Sequence, residues 1–268
     1  MKAMVYDKYG TTDVLTLKEV EIPTPQENEV LVKVHAVSVN SWDWDLLRGK
    51  PFLARLGGLL KPKYMILGAD IAGRVEAIGR NVKHLLPGNE VFGDISWCGW
   101  GGFAEFVCVH EDALSLKPSS MTFEQATAIP QAAVLALQGL RNKGQLQEGQ
   151  TVLINGAGGG VGTFALQIAK LHGAKVTCVD STVKLDMLKA MGADNVIDYT
   201  QEDFTKKKQF YDLILDVVGT RSISDYKRIL KPKGKYVMVG GSLSLISEFL
   251  HFPLFRNRAR LRKIEVRK

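Results

Sequence analysis

The sequence predicts an α/β protein in two parts: a compact, mostly β part, then a doubly wound parallel sheet. Three observations predict it. Residues 1–121 hold short strand-like runs between closely spaced Pro and Gly. Beyond residue 122, strand-like runs alternate with runs of helical period, the rhythm of a parallel sheet covered on both faces. At the head of that alternation stands LINGAGGGVGTFALQIAK, Leu153 to Lys170, in which a glycine cluster separates an apolar run from an amphipathic one.

In the first part, Val30-Leu31-Val32-Lys33-Val34-His35-Ala36-Val37 alternates through its second half, as a strand with one buried face does. Ile71 to Ile78 and Phe103 to Val109 are further strands, and Pro23, Pro25, Gly57, Gly58, Pro62, Pro87 and Gly88 mark turns. In the second part, Thr122 caps a helix carrying Phe123, Ala126, Ile129, Ala133 and Leu137. Pro130 fits no helix interior, so a kink or a division into two helices is expected there. Strands follow at Thr151–Asn155, Lys175–Asp180, Asn195–Ile197, Tyr211–Val218 and Lys235–Val239, with helices between. Val161, Phe164, Ala165, Ile168 and Ala169 form one apolar helix face, which Gly173 closes as a C-cap. The expected domains are 1–121, 122–250 and a basic tail, 251–268.

Apolar residues at 46% and charged residues at 24% describe a globular protein, and no apolar run reaches the roughly 18 residues of a membrane span. The amino end shows no signal-peptide core, so a cytoplasmic location is the expectation and a membrane partner is not. Cys98, Cys108 and Cys178 form no C-x-x-C pair, which argues against a disulfide framework or a four-thiolate zinc site. The net charge of +7 is concentrated at the end: Arg256 to Lys268 carry a net +6, leaving about +1 for the rest. No nucleic-acid partner is expected for the body of the chain; a solvated tail is the simpler reading of that end.

Strand, glycine turn and helix in that order aim unpaired backbone N–H groups and the positive helix end at one spot, where a diphosphate fits if no Cβ blocks it. Gly158, Gly159, Gly160 and Val161 are the candidate cradle. The next strand ends in Asp180, within reach of an adenosine ribose. Asp180 favours NADH by accepting from both ribose hydroxyls. Ser181 and Lys184, which follow, favour NADPH by meeting a 2′-phosphate. Alternatively, Ser181 or Thr182 caps the next helix and Lys184 is a surface charge.

Five stretches in order resemble the zinc-independent quinone oxidoreductases (zeta-crystallin type) of the medium-chain dehydrogenase/reductase superfamily. They are Ser38-Val39-Asn40-Ser41-Trp42-Asp43-Trp44, Leu67-Gly68-Ala69-Asp70-Ile71-Ala72-Gly73, Gly101-Gly102-Phe103-Ala104-Glu105-Phe106, Gly156 to Gly162, and Gly192-Ala193-Asp194 with Val196-Ile197-Asp198-Tyr199. The resemblance implies a GroES-like β domain beside a Rossmann domain, with the site between them. It also implies NADPH more often than NADH, and hydride transfer to a quinone, enone or related carbonyl compound. By resemblance Asn40 lies near the nicotinamide, Asn40 and Asp43 are the catalytic candidates, Tyr199 sits beside the adenosine phosphate, and Val239, Gly240 and Gly241 pass under the nicotinamide. For Asn40 and Asp43 the bland alternative is a turn held by side-chain hydrogen bonds. Trp97, Trp100 and Phe103 either line an aromatic pocket or pack in the core. No metal site is expected: zinc-dependent relatives carry Gly-His-Glu where this chain has Gly68-Ala69-Asp70.

The chain departs from the pattern in three places. Asp45 stands where some relatives have a tyrosine, and Leu135 where some have a threonine. Relatives, usually homo-oligomeric, continue past the position of Ser242 with a further Rossmann strand used in pairing. Here that part of the family fold is expected to be missing, leaving Lys235–Val239 near a sheet edge. An alternative function follows, a non-catalytic product retaining at most nucleotide binding.

Overall fold

The computed structural model describes residues 1–55, 58–240 and 260–263. The chain divides into two units, Met1–Gln131 and Ala132–Lys268, with the division inside a helix rather than at 121/122.

The first unit is built on antiparallel strands. β1 (Lys2–Val5) pairs with β2 (Thr16–Glu19). A five-stranded sheet runs in the order β6-β3-β4-β5-β7, from β3 (Glu29–Val37), β4 (Asp70–Ile78), β5 (Glu90–Asp94), β6 (Phe106–His110) and β7 (Ser115–Leu116). Val30, Val32, Ile71, Val75, Val91, Val107 and Val109 supply its core, alternate residues of each strand as a one-sided sheet requires. A second cluster of Tyr6, Leu47, Leu67, Ala69 and Trp100 forms beside α1 (Ser41–Arg48). The expected strand from Phe103 begins at Phe106 instead, because Ala104 makes only an isolated bridge to Ala3.

The break at Pro130 takes the form of two helices, α2 (Phe123–Thr127) and α3 (Pro130–Leu137). Thr122 starts α2: its hydroxyl accepts from Gln125 N while the Gln125 side chain accepts from Thr122 N. Thr127 ties α2 to the first unit by donating to the Asp70 carbonyl at 2.6 Å.

The second unit is a six-stranded parallel sheet in the order β10-β9-β8-β11-β12-β13. Its strands are β8 (Thr151–Asn155), β9 (Lys175–Asp180), β10 (Asn195–Asp198), β11 (Tyr211–Asp216), β12 (Leu230–Met238) and β13 (Arg260–Lys263). Consecutive residues serve opposite faces: Val152 and Ile154 pack with α4 (Gly160–Leu171) and α5 (Leu185–Ala190), whereas Leu153 packs with α6 (Ile223–Arg228). Both faces are covered, so the strands read as near-continuous apolar runs. β13 corrects one part of the expectation about the end of the chain, that Lys235–Val239 lies near a sheet edge. Arg260–Lys263 pairs in parallel with Lys235–Met238, so β12 is an interior strand and this part of the tail is sheet. The outer strand position is filled by backbone pairing, to which a run of basic side chains is no obstacle.

Candidate functional site

β8 ends at Asn155, and the chain turns at Gly156 with φ +83°, a left-handed conformation that favours glycine. α4 starts at Gly160. Gly162, in its first turn, packs so closely on the start of the turn that a Cβ there would overlap the Gly156 carbonyl oxygen. Gly159 and Gly160 differ. A Cβ on either would meet no atom nearer than 3.6 Å and 3.5 Å respectively. Both are ordinary contacts, so close packing within the protein does not demand glycine at these two positions. The N–H groups of Gly160, Val161 and Gly162 belong to the first helical turn, where no carbonyl four residues back lies within the helix, and the helix dipole adds positive potential. A nucleotide diphosphate fits this cradle.

Gly158 plays another part. Its N–H donates to Asp180 Oδ2 at 2.7 Å, and the stem of Lys184 lies against it. Asp180 was expected to present its carboxylate to a ribose; it is 5% exposed and turned into the turn. Its Oδ1 accepts from Ser181 N at 2.8 Å and lies 3.5 Å from Lys184 Nζ. Ser181 stands at the N-cap position of the short helix Thr182–Lys184 with no side-chain cap bond. The Lys184 side chain is 42% exposed, a cation held at the surface by a buried carboxylate. Tyr199 follows β10; its N–H donates to the Asp180 carbonyl and its ring is half exposed. Val239 and Gly240 follow β12, with the Val239 N–H donating to the Asp216 carbonyl at 2.8 Å. Gly241 lies outside the described residues.

Beneath the turn is a buried polar network that sequence reasoning missed. Asp216 Oδ1 accepts from Asn155 Nδ2 at 2.9 Å and Gly219 N at 2.9 Å, and Oδ2 accepts from the Tyr236 hydroxyl at 2.7 Å. Asn155 also donates to the Tyr226 hydroxyl. The side chains of Asn155, Asp216, Tyr226 and Tyr236 join the ends of β8 and β11 to β12 and α6, and so fix where the glycine turn begins. An Asn and an Asp closing two apolar strands were the available signal.

In the first unit, Asn40 caps α1. Its Nδ2 donates to Asp70 Oδ2 at 3.2 Å and to Ser38 Oγ at 3.3 Å. Asp43 is buried; Oδ2 accepts from Asn40 N at 2.8 Å and Oδ1 from Gly68 N at 2.9 Å. Burial raises its carboxyl above the ordinary range. With each oxygen already taken by a backbone amide, Asp43 braces the loop before β4 against α1, which is the bland alternative for this residue. Asp70, which opens β4, is 1% exposed and pushed up to about 7, chiefly by burial and then by Asp94. Trp100 packs in the core with Phe103 against its cluster, while Trp97 is exposed. For zinc, Gly68-Ala69-Asp70 offers no imidazole, and among the described residues no three His, Cys, Asp or Glu side chains group as ligands.

A GroES-like antiparallel unit followed by a Rossmann sheet with an open glycine turn defines a two-domain dehydrogenase/reductase fold. The family model described as Alcohol dehydrogenase GroES-like domain matches residues 26–119, and that described as Zinc-binding dehydrogenase matches 160–267. The chain is 36% identical to the 2-methylene-furan-3-one reductase of Solanum lycopersicum, covering 91% of this chain and 63% of that protein. It is 34% identical to the chloroplastic NADPH-dependent alkenal/one oxidoreductase of Arabidopsis thaliana, covering 91% of this chain and 64% of that one. The solved structure of the quinone oxidoreductase from Coxiella burnetii superposes with a TM-score of 0.88 at 31% identity, over 100% of this chain and 83% of that one. The chain belongs to the medium-chain dehydrogenase/reductase superfamily, in its zinc-independent quinone oxidoreductase-like family. It spans less than two thirds of the length of the two plant relatives.

Proposed function

We propose that the chain is an NAD(P)H-dependent oxidoreductase that transfers hydride to a quinone, enone or related carbonyl compound without a metal. The observation that carries this reading is the glycine turn. A Cβ at Gly159 or Gly160 would make only ordinary contacts, with the Gly156 carbonyl oxygen and with Ala132 Cβ, so close packing within the protein does not demand glycine beside the first-turn amides of α4, where a diphosphate would bind. The nicotinamide supplies the hydride when bound. The chain's own residues hold the pyrophosphate at Gly160, Val161 and Gly162, and by resemblance Asn40 is the residue that meets the reacting ring. Quinones and enones are electron-poor enough to accept hydride without Lewis-acid polarisation, in keeping with the absence of an imidazole at Ala69.

Within that reading NADPH is the cofactor, and NADH the weaker one. Asp180 has its carboxylate engaged by Gly158 and Ser181, so the negative charge is directed inward. Lys184 stands half exposed at the same edge, where a 2′-phosphate replaces part of its pairing with Asp180. The Arabidopsis relative named NADPH-dependent supports the same choice. The test is loss of reduced-nicotinamide absorbance with simple quinones and with an enone, for each cofactor. Oxidation of neither cofactor, with nucleotide binding intact, would favour the non-catalytic alternative; no binding of either would end both.

A further inference from the structure

Asp70 is a buried carboxylate that forms no ion pair among the described residues. Asp94, its partner on β5, and Asp43 on α1 face it with like charge, while Ser38 just after β3, Thr127 on α2 and Gln131 on α3 bring uncharged groups. A charged side chain in that setting is costly unless it is paired and hydrogen-bonded. They are unequally shared. Oδ2 accepts from Gln131 N at 3.1 Å, Asn40 Nδ2 at 3.2 Å and Ser38 Oγ at 3.5 Å, whereas Oδ1 is buried with no hydrogen-bond partner.

The lopsided arrangement bears on Asn40. A carboxamide can turn either end toward a neighbour, and only the surrounding network decides which. Asp70 Oδ2, already receiving the Gln131 N–H, is an acceptor, so Asn40 must turn its NH2 inward. Ser38 Oγ takes the second hydrogen. We propose that Asp70 is a positioning residue that clamps the Asn40 carboxamide in a single orientation for the hydride-transfer step. The clamp rests on the proposed reading in which Asn40 touches the reacting ring. When Asp70 takes up a proton, the proton goes to Oδ1, because Oδ2 is occupied. The Asn40 contact then persists but loses the strengthening that an ionised acceptor gives. The grip therefore tightens as the pH rises through the Asp70 titration.

Two readouts on the full chain test this. The first needs no activity: the side-chain amide signals of Asn40, assigned by their loss in Asn40→Ala, are followed in a proton–nitrogen correlation spectrum from about pH 5 to about pH 9. They are expected to titrate in the wild type and to stay fixed in Asp70→Asn, which keeps an acceptor but has no proton to lose. Titration that survives in Asp70→Asn, or its absence in the wild type, overturns the proposal. The second is steady-state kinetics with a quinone. Asp70→Ala should lower kcat at least about tenfold with the nucleotide KM within about threefold, and Asp70→Asn should retain kcat within about threefold. In an Asn40→Ala background, Asp70→Ala or Asp70→Asn should cost nothing further, since the residue to be clamped is gone. Fully additive losses overturn the proposal. A wild type that shows the amide titration but oxidises no cofactor overturns the functional reading and with it the proposed catalytic use of the clamp, leaving the geometry intact.

Discussion

The Gly158 N–H donates to Asp180 Oδ2 at 2.7 Å, and this bond joins the glycine turn to the end of the neighbouring strand. It turns an acidic side chain away from the surface and leaves Lys184 as the charge displayed at that edge. A carboxylate that shapes the turn and a lysine proposed to meet a 2′-phosphate are different roles, and they separate in binding measurements. Lys184→Glu is expected to weaken NADPH at least about tenfold while changing NADH by less than about threefold. Quenching of protein fluorescence by each nucleotide measures both. Equal weakening of the two would show that Lys184 does not meet the 2′-phosphate.

The glycines of the turn divide by what a methyl group would strike. At Gly160 it makes only an ordinary contact with Ala132 on a helical first turn, so Gly160→Ala should leave the melting temperature unchanged or raise it, and should weaken either nucleotide about tenfold or more. At Gly162 it would overlap backbone, so Gly162→Ala should destabilise the fold by about 1–3 kcal/mol before any ligand is added. Thermal melts with and without NADPH distinguish them. A Gly160→Ala protein that melts early but binds normally would reverse the assignment.

These contrasts mark where the sequence was legible. Period-two runs and buried apolar runs located β3, β4, β8 and β9, because burial on one face or two writes itself into the order of side chains. Pro130 announced the division into α2 and α3 through the N–H it lacks. The glycine turn was legible because its flanks are local. β13 was not, since Arg260-Leu261-Arg262-Lys263 carries mostly charged side chains and the strand is defined by backbone pairing to β12. Nor was the bearing of Asp180: its position was visible, but the direction of its carboxylate depends on the turn that follows the neighbouring strand β8. Asp70 showed only as a lone acid in Leu67-Gly68-Ala69-Asp70-Ile71-Ala72-Gly73. Its partners, Asn40 and Gln131, are brought to it by tertiary packing.

The network under the turn sets a third expectation. Tyr236→Phe removes the hydroxyl that donates to Asp216 Oδ2 and leaves a fully buried carboxylate short of one donor. A hydrogen bond to a charged group contributes about 1.5–3 kcal/mol, so urea unfolding should show a loss of that size with an unchanged denaturant slope. Nucleotide affinity should fall as well, since Asn155, another partner of Asp216, immediately precedes the turn. A neutral substitution would mean that the network does not hold the turn.

Asp70 also fixes how stability depends on pH. Its carboxyl, held at about 7 in the fold by burial and by Asp94, has an ordinary value of 3.8 once the chain unfolds. Between those values the folded protein binds a proton that the unfolded chain releases, so stability declines as pH rises through that window and levels off above it. At about 1.4 kcal/mol per unit, the decline is on the order of 4 kcal/mol. Asp194, Asp212 and Asp225 act in a separate window. Lysine, arginine, hydroxyl and amide partners hold them below their ordinary value, so their contribution is present above about pH 4 and disappears in acid. Asp70→Asn cannot ionise, so it should flatten the decline and be more stable than the wild type above about pH 7. Urea melts of both proteins from about pH 4 to about pH 8 decide it: parallel curves would place the Asp70 titration outside this range, and a variant weaker at every pH would show that the carboxylate stabilises the fold.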